Sequence, residues 1–415
     1  MNNLKKPFLN LDGIEDNFIK LYGENTIKQK QRYIQAFNHF KTIYKKDKAY
    51  ICSSSGRVEV CGNHTDHNGG MVVSCAISLD TLAFFLPNNT NIINIKSEGY
   101  PSMKIELDKP SEEKIGTSPA LVRGVCEGFK NKGFNIGGFD AYITSNVCGG
   151  AGISSSASFE VLICEILNFL FNDGKVSKED KSKIAQFSEN VYFNKPCGLL
   201  DQTAIAFGGL KKLDFSNVDK IVVSDIKADL SDWTFILVNT GGSHADLTDE
   251  YASIPKEMKK VANLFGKERL IDVSKEVFYN KLNEITDKLS DREVMRAIHF
   301  FNENQRVEQV AKALSINDYQ SFLDAINQSG FSSLTKLQNC YVSGSQDQSI
   351  PKALAISEQF LCGGANRVHG GGFAGTILNI VNNKHVDNFV KYISLIYGEQ
   401  NVITLKVRSV GTIVL

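Results

Sequence analysis

Cys148-Gly-Gly-Ala-Gly-Ile-Ser-Ser-Ser-Ala-Ser158 carries the strongest chemical signal in the chain. Gly149, Gly150 and Gly152, with Ala151 among them, let the backbone come close to a ligand. Ser154, Ser155 and Ser156 then lead into an apolar helix that begins near Ala157. Free N–H groups at a helix start, with the positive dipole end behind them, form an anion site, and the hydroxyls add donors or a metal ligand. A phosphate chain fits this chemistry. The segment is not a Walker A loop, having no Gly-Lys-Ser/Thr, and it lacks the third glycine of G-x-G-x-x-G. The structural alternative is a turn capped by Ser154. Three glycines and three serines between a strand and a long apolar helix favour phosphate.

A second segment, Gly56-Arg-Val-Glu-Val-Cys-Gly-Asn-His-Thr-Asp-His-Asn-Gly-Gly70, follows a strand with a dense set of hydrogen-bonding groups: His64, Asp66, His67 and Asn68. Such a loop suits a polyhydroxylated ligand. His64-x-Asp-His67 could instead hold zinc, but no other His or Cys group has a clear metal-site spacing. A polar turn in which Asp66 and Asn68 bond their own backbone is the structural alternative. In a third segment, Lys195-Pro-Cys-Gly-Leu-Leu-Asp-Gln202, Asp201 lies among apolar neighbours, as a helix cap or as a group acting on a ligand; taken alone, the cap is the commoner case. A fourth, Arg367-Val-His-Gly-Gly-Gly-Phe-Ala-Gly375, precedes an apolar strand and is open between close packing and ligand approach.

The elements that must position these groups alternate irregularly. Residues 13–47 read as helix, 49–52 and 57–61 as strands separated by the polar run Ser53–Gly56, and 71–86 and 91–97 as further strands. Helices are expected over 119–132, 154–172 and 178–194, and strands over 139–144, 209–215 and 233–239. Helices dominate 254–328, and strands return over 373–381 and 402–414. The pattern is α+β, without the regular βαβ alternation of a doubly wound sheet. The polar stretch 216–232 is the candidate junction between two domains, 1–225 (joined by about 402–415) and 226–401.

With 415 residues the chain is long enough for two domains. Its 46 Lys+Arg balance 46 Asp+Glu, which argues against a partner held through phosphate backbones or anionic lipid. Neither nucleic acid nor membrane is therefore expected. The nine cysteines are odd in number and form no C-x-x-C pair, so they read as small buried hydrophobes in a reducing compartment. The most apolar run, Val161–Phe171, is too short to span a bilayer, and behind Lys5 and Lys6 there is no apolar stretch of signal-peptide length. A soluble cytoplasmic protein is expected, with a monomer as the default.

In this order, the segments resemble those of the galactokinases, a group within the GHMP small-molecule kinase family. Residues 56–70 look like the signature G-R-V-N-L-I-G-E-H-T-D-Y-N-G-G, and 148–158 like the phosphate loop P-x-G-x-G-L-S-S-S-A-S. Residues 196–202 resemble the segment with the catalytic aspartate, and 367–375 the third family motif. Arg296-Ala-x-His-x-x-x-Glu-x-x-Arg-Val307 and Ser243-His-x-x-Leu…Glu250-Tyr251 are similar as well. The resemblance runs from about residue 50 to the carboxyl end.

It implies a two-domain α+β architecture with the active site in the interdomain cleft, and ATP- and Mg2+-dependent phosphorylation of galactose at its anomeric hydroxyl. By position, Asp201 would take the proton near the sugar O1, with Arg57 beside it offsetting charge on the transferred group. Gly149, Gly150, Ala151, Gly152, Ser154, Ser155 and Ser156 would bind ATP. Ser156 and Glu189 would be the magnesium ligands, and Asn63, His64, Asp66, Gly198 and Tyr251 would contact the sugar. Phosphoryl transfer is mostly positioning and charge stabilisation, which such groups supply together.

The chain departs from the pattern at several points. Asn63 replaces the signature glutamate, which in the family binds the sugar 6-hydroxyl; Asn is shorter, neutral and also a donor. His67 replaces Tyr, Asn146 an acidic residue, Cys148 a Pro, and Ser55 the Pro before Gly56-Arg57. None removes Arg57, Asp201, Ser156 or Glu189, so the departures weaken the identity of the sugar and leave the reaction. The alternatives are a related aldose modified at C2 or C6, and a catalytically weak relative that senses sugar.

Overall fold

A computed structural model describes residues 7–8, 11, 13–23, 26–150, 152–217, 220–242, 247–373 and 375–415. Ala151 and the Ser243-His244 pair, singled out above, lie outside the described residues.

Twelve strands are described: β1 (Tyr50–Cys61), β2 (Met71–Pro87), β3 (Ile92–Ser97), β4 (Ser102–Glu106), β5 (Phe139–Ser145), β6 (Leu210–Asp214), β7 (Val222–Asp225), β8 (Trp233–Asn239), β9 (Ala365–Val368), β10 (Thr376–Asn382), β11 (Val402–Leu405) and β12 (Ile413–Val414). Eight of them form one sheet with the path β12-β1-β2-β5-β3-β4, to which β6 and β7 add beside the first half of β2. Only the β3–β5 pairing in it is parallel. The other four make a second, antiparallel sheet, β11-β8-β10-β9. The architecture is α+β, as the irregular alternation implies.

The polar run Ser53–Gly56 does not break the first strand. β1 continues through it in register with β2, bulging at Ser55/Arg57 and Glu59/Cys61. Ser53 and Ser54 can be buried because their hydroxyls are partnered, Ser53 on Asp80 and Arg408 and Ser54 on Thr412, whereas the buried Ser55 hydroxyl has no hydrogen-bond partner among the described residues. The expected helix over 13–47 is two, Glu15–Tyr22 and Ile27–Tyr44. The expected last strand is also two. β11 joins the second sheet through β8, whereas β12 returns to β1.

Helices Ser118–Asn131, Ser155–Phe171, Lys178–Phe187 and Leu200–Phe207 cover one face of the large sheet, burying Val161, Leu162, Ile166, Phe129 and Phe139 among others. The two amino-terminal helices cover Leu82 and Phe84 on the other side. A further core joins the sheets: Val58, Val60 and Cys75 pack with Leu237, Leu378, Val307 and Phe322. Because that core is continuous and apolar, it fixes the glycine loops of one half of the chain against those of the other.

Candidate active site

The phosphate-type loop ends at the start of the 17-residue helix Ser155–Phe171. Ser154 occupies the capping position with φ 64, in the left-handed region, but its hydroxyl caps nothing. It donates instead to Oδ2 of Asp201, at 2.5 Å. Gly152 beside it also has positive φ, and a Cβ there would lie 2.5 Å from Thr376 Oγ1. Glycine is therefore required where the loop meets the third glycine motif.

Asp201 lies in the first turn of helix Leu200–Phe207 and caps nothing; the capping position is Leu199, without a side-chain bond. Arg57 reaches its Oδ1 through Nε at 2.8 Å and Nη2 at 2.7 Å, and donates through Nη1 to the carbonyl of Gly152. One guanidinium thus ties the carboxylate to the loop. β1 brings it there: Arg57 and Glu59 alternate with Val58 and share a face of the strand.

Ser156 donates to Glu189 Oε1 at 2.7 Å, and Lys195 reaches the same oxygen at 2.8 Å. Oε2 takes Gln202 at 2.8 Å. Glu189 sits in a single wide turn, Ser188–Tyr192, which ends the expected helix 178–194 early. Below it lies Glu160, whose carboxyl is pushed up by burial and by the charge of Glu189. Sequence reasoning misses Glu160 and Gln202; a glutamate one turn into an otherwise apolar helix is the available signal. One hydroxyl and one carboxylate, all hard oxygens beside the loop, fit Mg2+, which is bound through one or two carboxylates plus phosphates rather than in an all-protein cage. Among the described residues no cluster of three His, Cys, Asp or Glu could hold a metal, which leaves the zinc alternative for His64 and His67 without a third ligand.

The polar loop after β1 turns beside Asp201. Asp66 accepts from the backbone N–H of Leu200 at 3.4 Å, and a Cβ on Gly198 would fall 1.7 Å from its Oδ2. Its carboxyl is pushed up to about 6 by burial, then by Asp201 and Glu59. Asn68 Nδ2 donates to His67 Nδ1, at 2.9 Å. His67 Nε2 must then donate to His64 Nδ1, and His64 Nε2 to the Gly371 carbonyl, at 3.3 and 3.0 Å. Burial holds both rings neutral, His64 at about 4. Tyr251 enters from the other half, its hydroxyl donating to the Gly372 carbonyl at 3.0 Å.

Asn63 is placed differently from its expected contact with a ligand. It is 0% exposed, and its amide donates to Glu59 Oε1 and the Gly370 carbonyl while accepting from Ser333 and Asn339. Every hydrogen-bonding position of the side chain is used by protein. Helix Asp291–Ser315 holds the loop from behind. Glu303 accepts from the N–H groups of Gly62 and Asn63, and His299 donates to the Asn63 carbonyl. These two residues are one helical turn apart, so one helix face carries both. Their motif is legible in the sequence, but the loop that it holds is not.

The chain is similar to known proteins in sequence and in fold. The family model for the galactokinase galactose-binding signature matches residues 38–87, and that for the GHMP kinases N terminal domain matches 120–209. A galactokinase of Clostridium tetani is 30% identical over 395 residues, 94% of this chain and 93% of its own. One from Lacticaseibacillus casei is 29% identical over 373 residues, 87% and 92% respectively. The crystal structure of Lactococcus lactis galactokinase complexed with galactose matches in fold with a TM-score of 0.78 at 22% identity, covering 98% of this chain and all of that one. Methanococcus jannaschii mevalonate kinase matches with a TM-score of 0.61 at 15% identity, covering 86% and 98%.

Proposed function

The chain belongs to the galactokinase family of GHMP kinases, and from that premise we propose that it transfers the γ-phosphoryl group of ATP to the anomeric C1 hydroxyl of galactose, giving galactose 1-phosphate and ADP. The observation that carries this reading is the Arg57 bridge, which ties the Asp201 carboxylate to the glycine loop through Gly152.

ATP phosphates would lie on the N–H groups of Gly149–Ser156, where the helix dipole favours negative charge. Ala151 belongs to that set by position. Ser156 and Glu189 would hold Mg2+, which when bound neutralises charge on the phosphates. Asp201 Oδ2, now occupied by Ser154, would accept the hydrogen of the C1 hydroxyl and take its proton as the phosphoryl group moves to O1. Arg57 stays on Oδ1 and offsets the charge that develops. Asp66, His64, the Gly198 backbone and Tyr251 would orient the sugar; Asn63 would act from behind the loop.

The same reading divides the chain near residue 225 into 1–225, joined by about 402–415, and 226–401, with the cleft between them, and has the enzyme act as a monomer in the cytoplasm; because β11 pairs with β8, the strand that returns to the first sheet is β12. Among the described residues no helix is long and apolar enough to cross a membrane.

The test is turnover of Mg-ATP with galactose, N-acetylgalactosamine, glucose, talose, fucose, arabinose and galacturonic acid. ADP release is followed and the product's phosphate assigned by phosphorus NMR. Galactose 1-phosphate as preferred product upholds the reading. Another preferred aldose would move the substrate and leave the chemistry. ATP binding without turnover of any sugar would replace it by a sensor.

A further inference from the structure

The signature that residues 56–70 resemble has Asn at its fourth position and Glu at its eighth. This chain has Glu59 and Asn63 there. The two departures are one exchange, because the side chains touch: Asn63 Nδ2 donates to Glu59 Oε1 at 3.0 Å. The contact keeps one carboxylate and one amide while their places on the chain are reversed. Arg367, fully buried, completes it by donating through Nη2 to the same Oε1 at 2.8 Å and through Nη1 to the Val60 carbonyl.

The exchange moves the negative charge. At position 63 it would sit at the loop, behind which every polar atom of the present side chain is already bonded to protein. At position 59 it sits on β1, two residues from Arg57 and on the same face. Both protein donors to Glu59 converge on Oε1. Glu59 is 4% exposed and shares its strand face with Arg57, whose guanidinium holds Asp201, so it lies on the same side of β1 as the groups around Asp201. The Glu59 N–H also donates to His369 Nε2, fixing the strand against the third glycine motif at 3.2 Å.

Resting on the sugar-kinase reading of this site, we propose that Glu59 is a specificity-determining residue of the sugar subsite. Its Oε2 accepts a hydroxyl of the bound aldose, while Arg367 and Asn63 hold Oε1 and so set its direction. A carboxylate fixed on one oxygen and open on the other discriminates strongly, since an analogue lacking the hydroxyl leaves a desolvated charge unpaired.

The test uses the full-length enzyme with Mg-ATP, galactose and its 2-, 3-, 4- and 6-deoxy analogues. Glu59→Gln should raise the galactose KM about 10- to 100-fold with kcat and the ATP KM nearly unchanged. That penalty should vanish for one deoxy analogue, the one missing the hydroxyl read by Glu59. Glu59→Asp, which keeps the charge on a shorter reach, should show a smaller loss with the same analogue pattern, and it keeps the test open where Glu59→Gln fails to fold. Equal losses for all analogues or a loss in kcat alone would overturn the assignment. A wild-type enzyme that phosphorylates no sugar would overturn the kinase reading, and this inference with it.

Discussion

Arg57 places two nitrogens on the same oxygen of Asp201, Nε at 2.8 Å and Nη2 at 2.7 Å, leaving the other oxygen to a single hydroxyl. In the proposed transfer, that asymmetry separates a positioned oxygen from the one that would take the proton. Asp201→Asn should therefore lower kcat about 10²- to 10⁴-fold, the usual worth of a placed proton acceptor, while ATP affinity measured by calorimetry stays within a few fold. Turnover near the wild-type rate would show that Asp201 is not the proton acceptor. Arg57→Lys cannot reproduce the fork and should cost kcat about 10²-fold.

Gly198 is a steric requirement of the segment leading into Asp201, on the side proposed to take the sugar. A methyl group there would overlap Asp66 Oδ2, at 1.7 Å from its ideal position. Because this oxygen belongs to a carboxylate and the glycine to the backbone leading into Asp201, one of the two must shift. Gly198→Ala should raise the sugar KM about 10-fold or more with little change in the ATP KM. Unchanged sugar kinetics would mean that Asp66 does not face the sugar.

Asp66 links pH to stability. Burial, followed by the charges of Asp201 and Glu59, pushes its carboxyl from 3.8 up to about 6. A group with a raised folded-state pKa contributes stability that is full below its unfolded value and lost as pH rises through its folded one. The ligand-free protein should lose stability through this group between about pH 4 and pH 6. Asp66→Asn should flatten that stretch and melt a few degrees higher than wild type near pH 7.5, while losing sugar turnover. Thermal melts at several pH values decide it: a variant that melts lower near neutral pH, with the slope intact, contradicts the account.

Glu189 has a hydroxyl and an ammonium on one oxygen and an amide on the other. Glu189→Gln should raise the Mg2+ concentration needed for half-maximal turnover about 10- to 100-fold, and Gln202→Leu, which removes the amide supporting Oε2, about 10-fold. Binding of Mg-ATP against ATP with chelator, read by calorimetry, gives the same comparison without turnover. Equal Mg2+ dependence in wild type and Glu189→Gln would assign the cation elsewhere.

The sequence by itself determined the chemistry-bearing segments and the class of fold. A glycine run followed by serines at a helix start is a local signal: backbone freedom, a hydroxyl and a dipole lie within eleven residues, and the same holds for the polar loop after β1. The sequence also carries Glu59 and Asn63 within one segment, but strand and loop spacing do not reveal that the two side chains meet. Tertiary structure decided which groups face the cleft. It turned Asn63 inward, since an amide one methylene shorter than glutamate satisfies four partners behind the loop, two of them from residues 333 and 339. It took Ser154 from capping its helix to holding Asp201, 47 residues away. It made Glu303 the acceptor for a backbone turn 240 residues earlier. Contacts at such separations follow from how the apolar core joining the two sheets packs, and no local pattern of residue types encodes that packing.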